Sequence, residues 1–231
     1  MPLEKGSLVL INYTALVKDT NEAIDTTVEE EAKKLNLYDQ TRRYGPRLVA
    51  VGEGWVISGL EEELMGMDVG QKKEIQIPPE RAFGQRDPSL VKLIPLRKFG
   101  EKAGDISVGD TVEIDNRVGV VRYVGSGRAQ VDFNHRLAGK TILYSVEVVK
   151  KLETDQEKVQ ALMERRFGQE AEKIKFSITE SKLEVRIPEE LYLMDGLQIL
   201  KRGFANDIFK FIQSVKEVVF NEVFIKEEKK D

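Results

Sequence analysis

The chain of 231 residues has one histidine, His135, and no cysteine. Thiolate nucleophiles, thiolate metal sites and disulfides are therefore excluded. A single imidazole supplies neither a histidine metal cluster nor a His–His acid/base pair. Three titratable features remain to be weighed. His135 has no visible partner for proton transfer and reads as a structural hydrogen-bonding residue. Glu29-Glu30-Glu31 suggests a metal ligand set, but Lys33 and Lys34 follow it, which favours the solvated face of a short helix. Asp25 either starts a turn or serves as a working carboxylate, and its neighbours leave both readings open. Tyr13, Val56, Leu60 and Tyr144, taken alone, are ordinary core residues.

Composition narrows the class further. Hydrophobic residues make up 41% and charged residues 33%, with a net charge of −4, which describes a soluble globular protein of two or three compact units. Lys and Arg number 36 against 40 Asp and Glu, so the basic footprint that phosphate-backbone binding requires is missing and nucleic acid is not an expected partner. The apolar run Leu8-Val9-Leu10-Ile11 is far too short for a signal sequence or a membrane span. A cytoplasmic protein without membrane attachment is expected.

The elements that must position any site follow from periodicity. Residues 7–18 read as a strand, with Leu8, Leu10 and Asn12 on one side and Val9, Ile11 and Tyr13 on the other. A short strand at 24–27, a short helix at 28–37 and a third strand over Arg47–Val51 come next. Val56–Met65 has helical spacing closed by Gly66, and Gln71–Ile77 is a strand ended by Pro78-Pro79. Residues 88–134 change character: three short strands at 110–115, 118–124 and 128–133 are joined by the turns Asp115-Asn116-Arg117 and Gly125-Ser126-Gly127. Thr141–Leu152 is long enough to rejoin the N-terminal sheet. Thr154 to Glu157 is a capping box ahead of the stripe Val159, Leu162, Met163, Phe167, with Gly168 as the stop. Strands at 173–178 and 182–187, a helix at 196–214 and a strand from Glu217 to Ile225 complete an α-β-β-α-β unit, and the end 226–231 reads as a solvated tail.

Three segments then stand in order with matching spacing. They are Val51-Gly-Glu-Gly-Trp-Val-Ile-Ser-Gly-Leu-Glu61, Met67-Asp-Val-Gly70 and Pro79-Glu-Arg-Ala-Phe-Gly84. Together they resemble the core of the FKBP-type peptidyl-prolyl cis/trans isomerases. Asn134-His-Arg-Leu-Ala-Gly-Lys140 resembles the junction of the SlyD-like subfamily, in which a β domain is inserted in the flap beside the active site. Core and insert together span residues 3–152. Over 153–231 the chain is similar only to long archaeal-type members with an extra C-terminal domain.

The resemblance implies an α+β protein. An FKBP-like antiparallel sheet wrapped on a short helix would occupy residues 1–87 and 138–152, a small inserted β chaperone domain residues 88–137, and a C-terminal α+β domain residues 153–231. It implies a cofactor-free, metal-free isomerase and folding chaperone acting on X-Pro bonds of unfolded or partly folded polypeptides; the alternative is a non-catalytic client-binding or scaffold module. Rotation about X–Pro is opposed by amide resonance, with a barrier of about 18–20 kcal/mol. An apolar pocket disfavours the charge-separated resonance form, and a placed backbone donor holds the twisted conformer. No nucleophile is needed.

Carried over by position, the catalytic set implied is Tyr13, Asp25, Ile57, Phe83 and Tyr144, with Ile24, Val49, Val56 and Leu60 binding substrate. The Ile57 N–H would hold a substrate carbonyl, and Leu60 would form the floor. Asp25 and Tyr13 would hydrogen-bond at the wall, and Tyr144 would close the far side. Trp55 precedes this set and is expected to point outward as a client contact. Two departures stand out: Phe83 replaces the family's usual Tyr, and the histidine-rich metal-binding tail is absent, so nickel handling is not implied. The last strand is apolar on both faces through Val218, Phe220 and Phe224 on one side and Val219, Val223 and Ile225 on the other. Such a strand wants cover on both sides, which predicts pairing with a second copy or docking on the isomerase domain.

Overall fold

The computed structural model describes residues 2–224. Its first unit is a five-stranded antiparallel sheet of β1 (Leu8–Val17), β2 (Ala23–Thr26), β3 (Arg47–Ala50), β4 (Lys72–Ile77) and, after a long excursion, β9 (Ile142–Lys151). β9 pairs with β1 along its whole length and with β4 on its other edge. The free edge of β1 is shared, β3 taking Leu8–Ile11 and β2 taking Thr14–Leu16. Alternate residues Val9, Ile11, Tyr13, Ala15 and Val17 all enter one core. A short helix α1 (Glu29–Lys34) is narrower than the span 28–37, and its Glu29–Lys33 and Glu31–Lys34 pairs lie in solvent at 2.6 Å.

Helix α2 (Ser58–Leu64) covers that core with Leu60 and Leu64. Gly66, at φ +95°, follows its end. Gly59 has a tighter reason: a Cβ there would overlap Cγ2 of Ile77 and lie 3.2 Å from the Cβ and carbonyl oxygen of Arg81. The helix can approach β4 this closely only without a side chain.

The insert holds four strands, not three: β5 (Val91–Pro95), β6 (Thr111–Ile114), β7 (Arg117–Gly125) and β8 (Arg128–Asp132), in the order β5-β8-β7-β6. β5 escapes a local reading because its partner is distant, Val91 facing Asp132, and because prolines bracket an unalternating run. Both hairpins turn on two residues of positive φ, Asp115-Asn116 and Ser126-Gly127, the geometry that matches strand twist. Ile94, Val121, Ala129 and Val131 form a separate small core. Where the chain enters and leaves, the buried Asp132 carboxylate accepts from Arg86 at 2.6 Å, and the Asn134 amide brackets the Asp87 backbone, accepting its N–H at 2.8 Å and donating to its C=O at 2.9 Å. Leu137 packs in the first core, so the chain has returned there before residue 138.

The third unit comprises α3 (Asp155–Phe167), β10 (Lys175–Thr179), β11 (Lys182–Ile187), α4 (Leu197–Phe211) and β12 (Glu217–Glu222). The capping box forms: Thr154 Oγ1 accepts the Glu157 N–H at 3.3 Å, and the Glu157 carboxylate accepts the Thr154 N–H at 3.2 Å. Lys150 of β9 also binds Glu157, and together these donors depress its pKa to about 2. β12 runs parallel to β11, a pairing that needs the α4 crossover. β12 is shorter than expected, and Ile225 and the tail 226–231 lie outside the described residues.

The third unit does dock on the first, through α3 and α4 rather than through β12. Leu8, Leu10, Leu48 and Ala50, on the face of the sheet away from α2, join the same cluster as Val159, Leu162, Phe204 and Ile208. β12 is the edge of its own sheet, with Val218 and Phe220 turned to that cluster. Among the described residues, no helix is long and apolar enough to cross a membrane.

Candidate active site

Pairing across three strands sets the site. Asp25 on β2 faces Ala15 on β1, and Ala15 faces Tyr144 on β9, so these side chains share one face of the sheet. The small Ala15 leaves room between the other two. Tyr13, two residues back on the same face, sits against Tyr144 with ring centroids 5.6 Å apart and planes tilted by 51°.

The Tyr13 hydroxyl donates to Asp25 Oδ2 at 2.5 Å and accepts from Arg47 Nη1 at 2.9 Å. Arg42 donates to the other Asp25 oxygen at 2.6 Å and to the Thr26 carbonyl at 2.9 Å. Arg42 and Arg47 are neighbours of the Tyr13–Asp25 pair that the sequence reading missed; the only signal was a cluster of arginines around Tyr44-Gly45-Pro46. Burial, reinforced by the Asp25 carboxylate, raises the Tyr13 phenol above its usual range, although Arg47 opposes the shift. Burial also raises the Tyr144 phenol. Both stay protonated at neutral pH. They differ in one respect: the Tyr13 hydroxyl both donates and accepts, whereas the Tyr144 hydroxyl has no hydrogen-bond partner among the described residues.

Ile57 is the residue before α2, at φ −60° and ψ 146°. Its carbonyl accepts from the Leu60 and Glu61 N–H groups at 2.9 and 3.1 Å, while its own N–H donates to none of the described residues. The Glu61 carboxylate, one turn on, accepts the Trp55 N–H at 3.0 Å. Ile24, Val56, Ile57 and Phe83 are partly buried and pack at the rim of the first core. Val49 and Leu60 are fully buried, so in this structure they support the pocket from beneath and present no surface to a ligand.

Phe83 stacks on His135 at 4.9 Å with planes 9° apart. His135 Nδ1 accepts the Leu137 N–H at 3.2 Å, a structural role, and its ring adds a wall that sequence reasoning had not placed near the pocket. The Gly139 N–H donates to the Gly84 carbonyl at 2.8 Å and ties the two loops together. Trp55 does not point outward: it packs against both large cores, meeting Phe211 edge-to-face at 5.5 Å and lying 3.7 Å beneath the Arg165 guanidinium. Local sequence held no sign of this, because the partners lie over a hundred residues away.

The chain matches the sequence pattern of the family described as FKBP-type peptidyl-prolyl cis-trans isomerase over residues 2–149. It belongs to that family. Residues 155–225 match a second pattern, described as FKBP26_C-terminal. The chain is 34% identical over 146 residues to the short-type peptidyl-prolyl cis-trans isomerase of Methanocaldococcus jannaschii, covering 63% of this chain and 92% of that one. It is 32% identical over 152 residues to the FKBP-type 16 kDa isomerase of Escherichia coli (strain K12), covering 64% and 92%. Against SlyD of Aeromonas hydrophila it is 35% identical over 146 residues, covering 62% and 61%. The FKBP-type isomerases act on proline-containing polypeptides.

Proposed function

We propose that this FKBP-type isomerase turns X-Pro bonds of unfolded or partly folded chains in a pocket bounded by Tyr13, Asp25, Ile57, Phe83 and Tyr144, and that its insert holds the client. The observation that carries the reading is an unused N–H at Ile57 beside an apolar, aromatic surface. In this reading the proline ring lies on that surface, where the polar resonance form of the imide is disfavoured. The Ile57 N–H donates a hydrogen bond to a substrate carbonyl, and the bond twists with no covalent step. Asp25, Arg42 and Arg47 hold Tyr13 in place.

Tyr144 takes the part of the phenol that Phe83 lacks. Its free, protonated hydroxyl is available to donate to substrate, and such a hydrogen bond contributes about 1 kcal/mol. Tyr144→Phe is expected to lower kcat/KM on a proline tetrapeptide about fivefold, with little change in stability because no protein partner is lost. An unchanged kcat/KM would remove this role.

The insert exposes Leu93, Val108, Val118 and Tyr123, and its edges are β5 and β6. Apolar contact and strand addition at such edges suit an extended client. We also propose a homodimer through the C-terminal domain, where Leu193, Ile199, Val223 and Phe224 are exposed, a concentration of apolar surface that marks an interface. Light scattering is expected to give twice the chain mass, and a strictly monomeric mass would rule the dimer out. A cytoplasmic location fits the absence of cysteine. The enzyme reading is tested by the refolding of a protein whose slow phase is proline isomerisation: catalytic amounts of the whole chain should accelerate it, and no acceleration would overturn the reading.

A further inference from the structure

The loop that delivers the Ile57 N–H carries two glycines with wide backbone freedom. Gly52 and Gly54, at φ +75° and +71°, stand within five residues of Ile57, and glycine in the left-handed region resists fixing by local sterics. Inside the isomerase domain the Trp55 N–H is tied to Glu61. Further ties come from the C-terminal domain. Lys210 of α4 pairs with Glu53, Phe211 of α4 meets the Trp55 ring edge-to-face, and the Arg165 guanidinium of α3 lies 3.7 Å from the centre of that ring.

Arg165 is itself held. The buried Asp207 carboxylate of α4 lies 3.8 Å from it and takes Arg166 in two hydrogen bonds of 2.6 and 2.8 Å. Bidentate pairs of this kind fix geometry, so α3 and α4 form one clasp. The clasp closes on Trp55, two residues from the catalytic N–H.

We infer that the C-terminal domain positions the catalytic loop: Arg165 and Phe211 clamp Trp55 and thereby hold the Ile57 N–H where a substrate carbonyl meets it. These are positioning residues, since none of them lies on the pocket face. The inference rests on the assignment of the Ile57 N–H as the carbonyl donor. It is nonetheless separate from any client-holding or dimerising role of the same domain, because it applies to a substrate too short to leave the pocket.

Trp55 is the only tryptophan of the chain, so its fluorescence reports on the clamp directly. The test uses the full chain carrying Phe211→Ala, Arg165→Gln or both, assayed without protease on a proline tetrapeptide. Arg165→Gln keeps the test alive should Phe211→Ala fail to fold, because it removes the cation–π contact and leaves the ring packing in place. The double variant is expected to show Trp55 more accessible to acrylamide and kcat lowered about tenfold at unchanged KM, the signature of a lost transition-state contact. Phe211→Tyr, which restores the ring, should recover both. Trp55 released with kcat unchanged would overturn the inference while leaving the isomerase assignment standing; so would Trp55 accessibility that does not change at all. A failure of the donor assignment itself would show separately, in variants of Ile57.

Discussion

Ile57→Pro is expected to lower kcat about 100-fold on a proline tetrapeptide while the urea midpoint stays close to that of the parent chain. The expectation follows from two facts about one residue. Its φ of −60° is the value that a proline ring imposes, so the substitution asks little of the backbone. Its N–H donates to none of the described residues, so deleting it breaks no bond of the fold. What is lost is a preorganised donor in a water-poor site, and removing one such donor costs about 10²–10³ in kcat where it has been tested in other enzymes. Ile57→Ala is the control, since it keeps the N–H and trims only the partly buried side chain. It should fall by no more than about fivefold, the worth of partial apolar contact. If Ile57→Pro isomerises peptide as fast as Ile57→Ala, the donor role is wrong.

Excising residues 88–133 and joining Asp87 to Asn134 by a short glycine linker should separate the two halves of the proposed activity. The cut is feasible because the Asn134 amide already brackets the Asp87 backbone and because the insert core is distinct from the isomerase core. Arg86 loses Asp132, but that guanidinium is half exposed, so the cost is small. Tetrapeptide turnover should change by no more than about twofold. Catalysis of proline-limited refolding should fall about 100-fold, because a client held on the insert meets the pocket at an effective concentration set by the tether, a gain of about 10²–10⁴ over separate encounters. Equal refolding catalysis before and after excision would eliminate the client-holding role of the insert.

Local pattern carried most of the element list. Alternation named β1 and β9, the capping box named the start of α3, and turn-forming residue types named both insert hairpins. These signals are legible because each depends on contacts within a few residues. β5 was not legible, since a five-residue run between prolines becomes a strand only when β8 arrives beside it.

The proposed prolyl site shows the same division. The ordered motifs from Val51 to Gly84 determined the family and hence the residues to examine, and the sheet brings Tyr13, Asp25 and Tyr144 to one face as their strand positions require. Without cysteine and with a single histidine, the sequence alone also excluded thiolate chemistry and a histidine metal cluster. Only the tertiary structure decided the rest. It recruited Arg42 and Arg47 to the Tyr13–Asp25 pair, stacked His135 on Phe83, left the Tyr144 hydroxyl with no hydrogen-bond partner among the described residues, and turned Trp55 from an expected surface residue into the seam between two domains. The physical reason is common to the three sets of contacts. Each contact joins segments that no periodicity or local propensity relates, and its geometry exists only once the sheet, the insert junction and the C-terminal helices have packed.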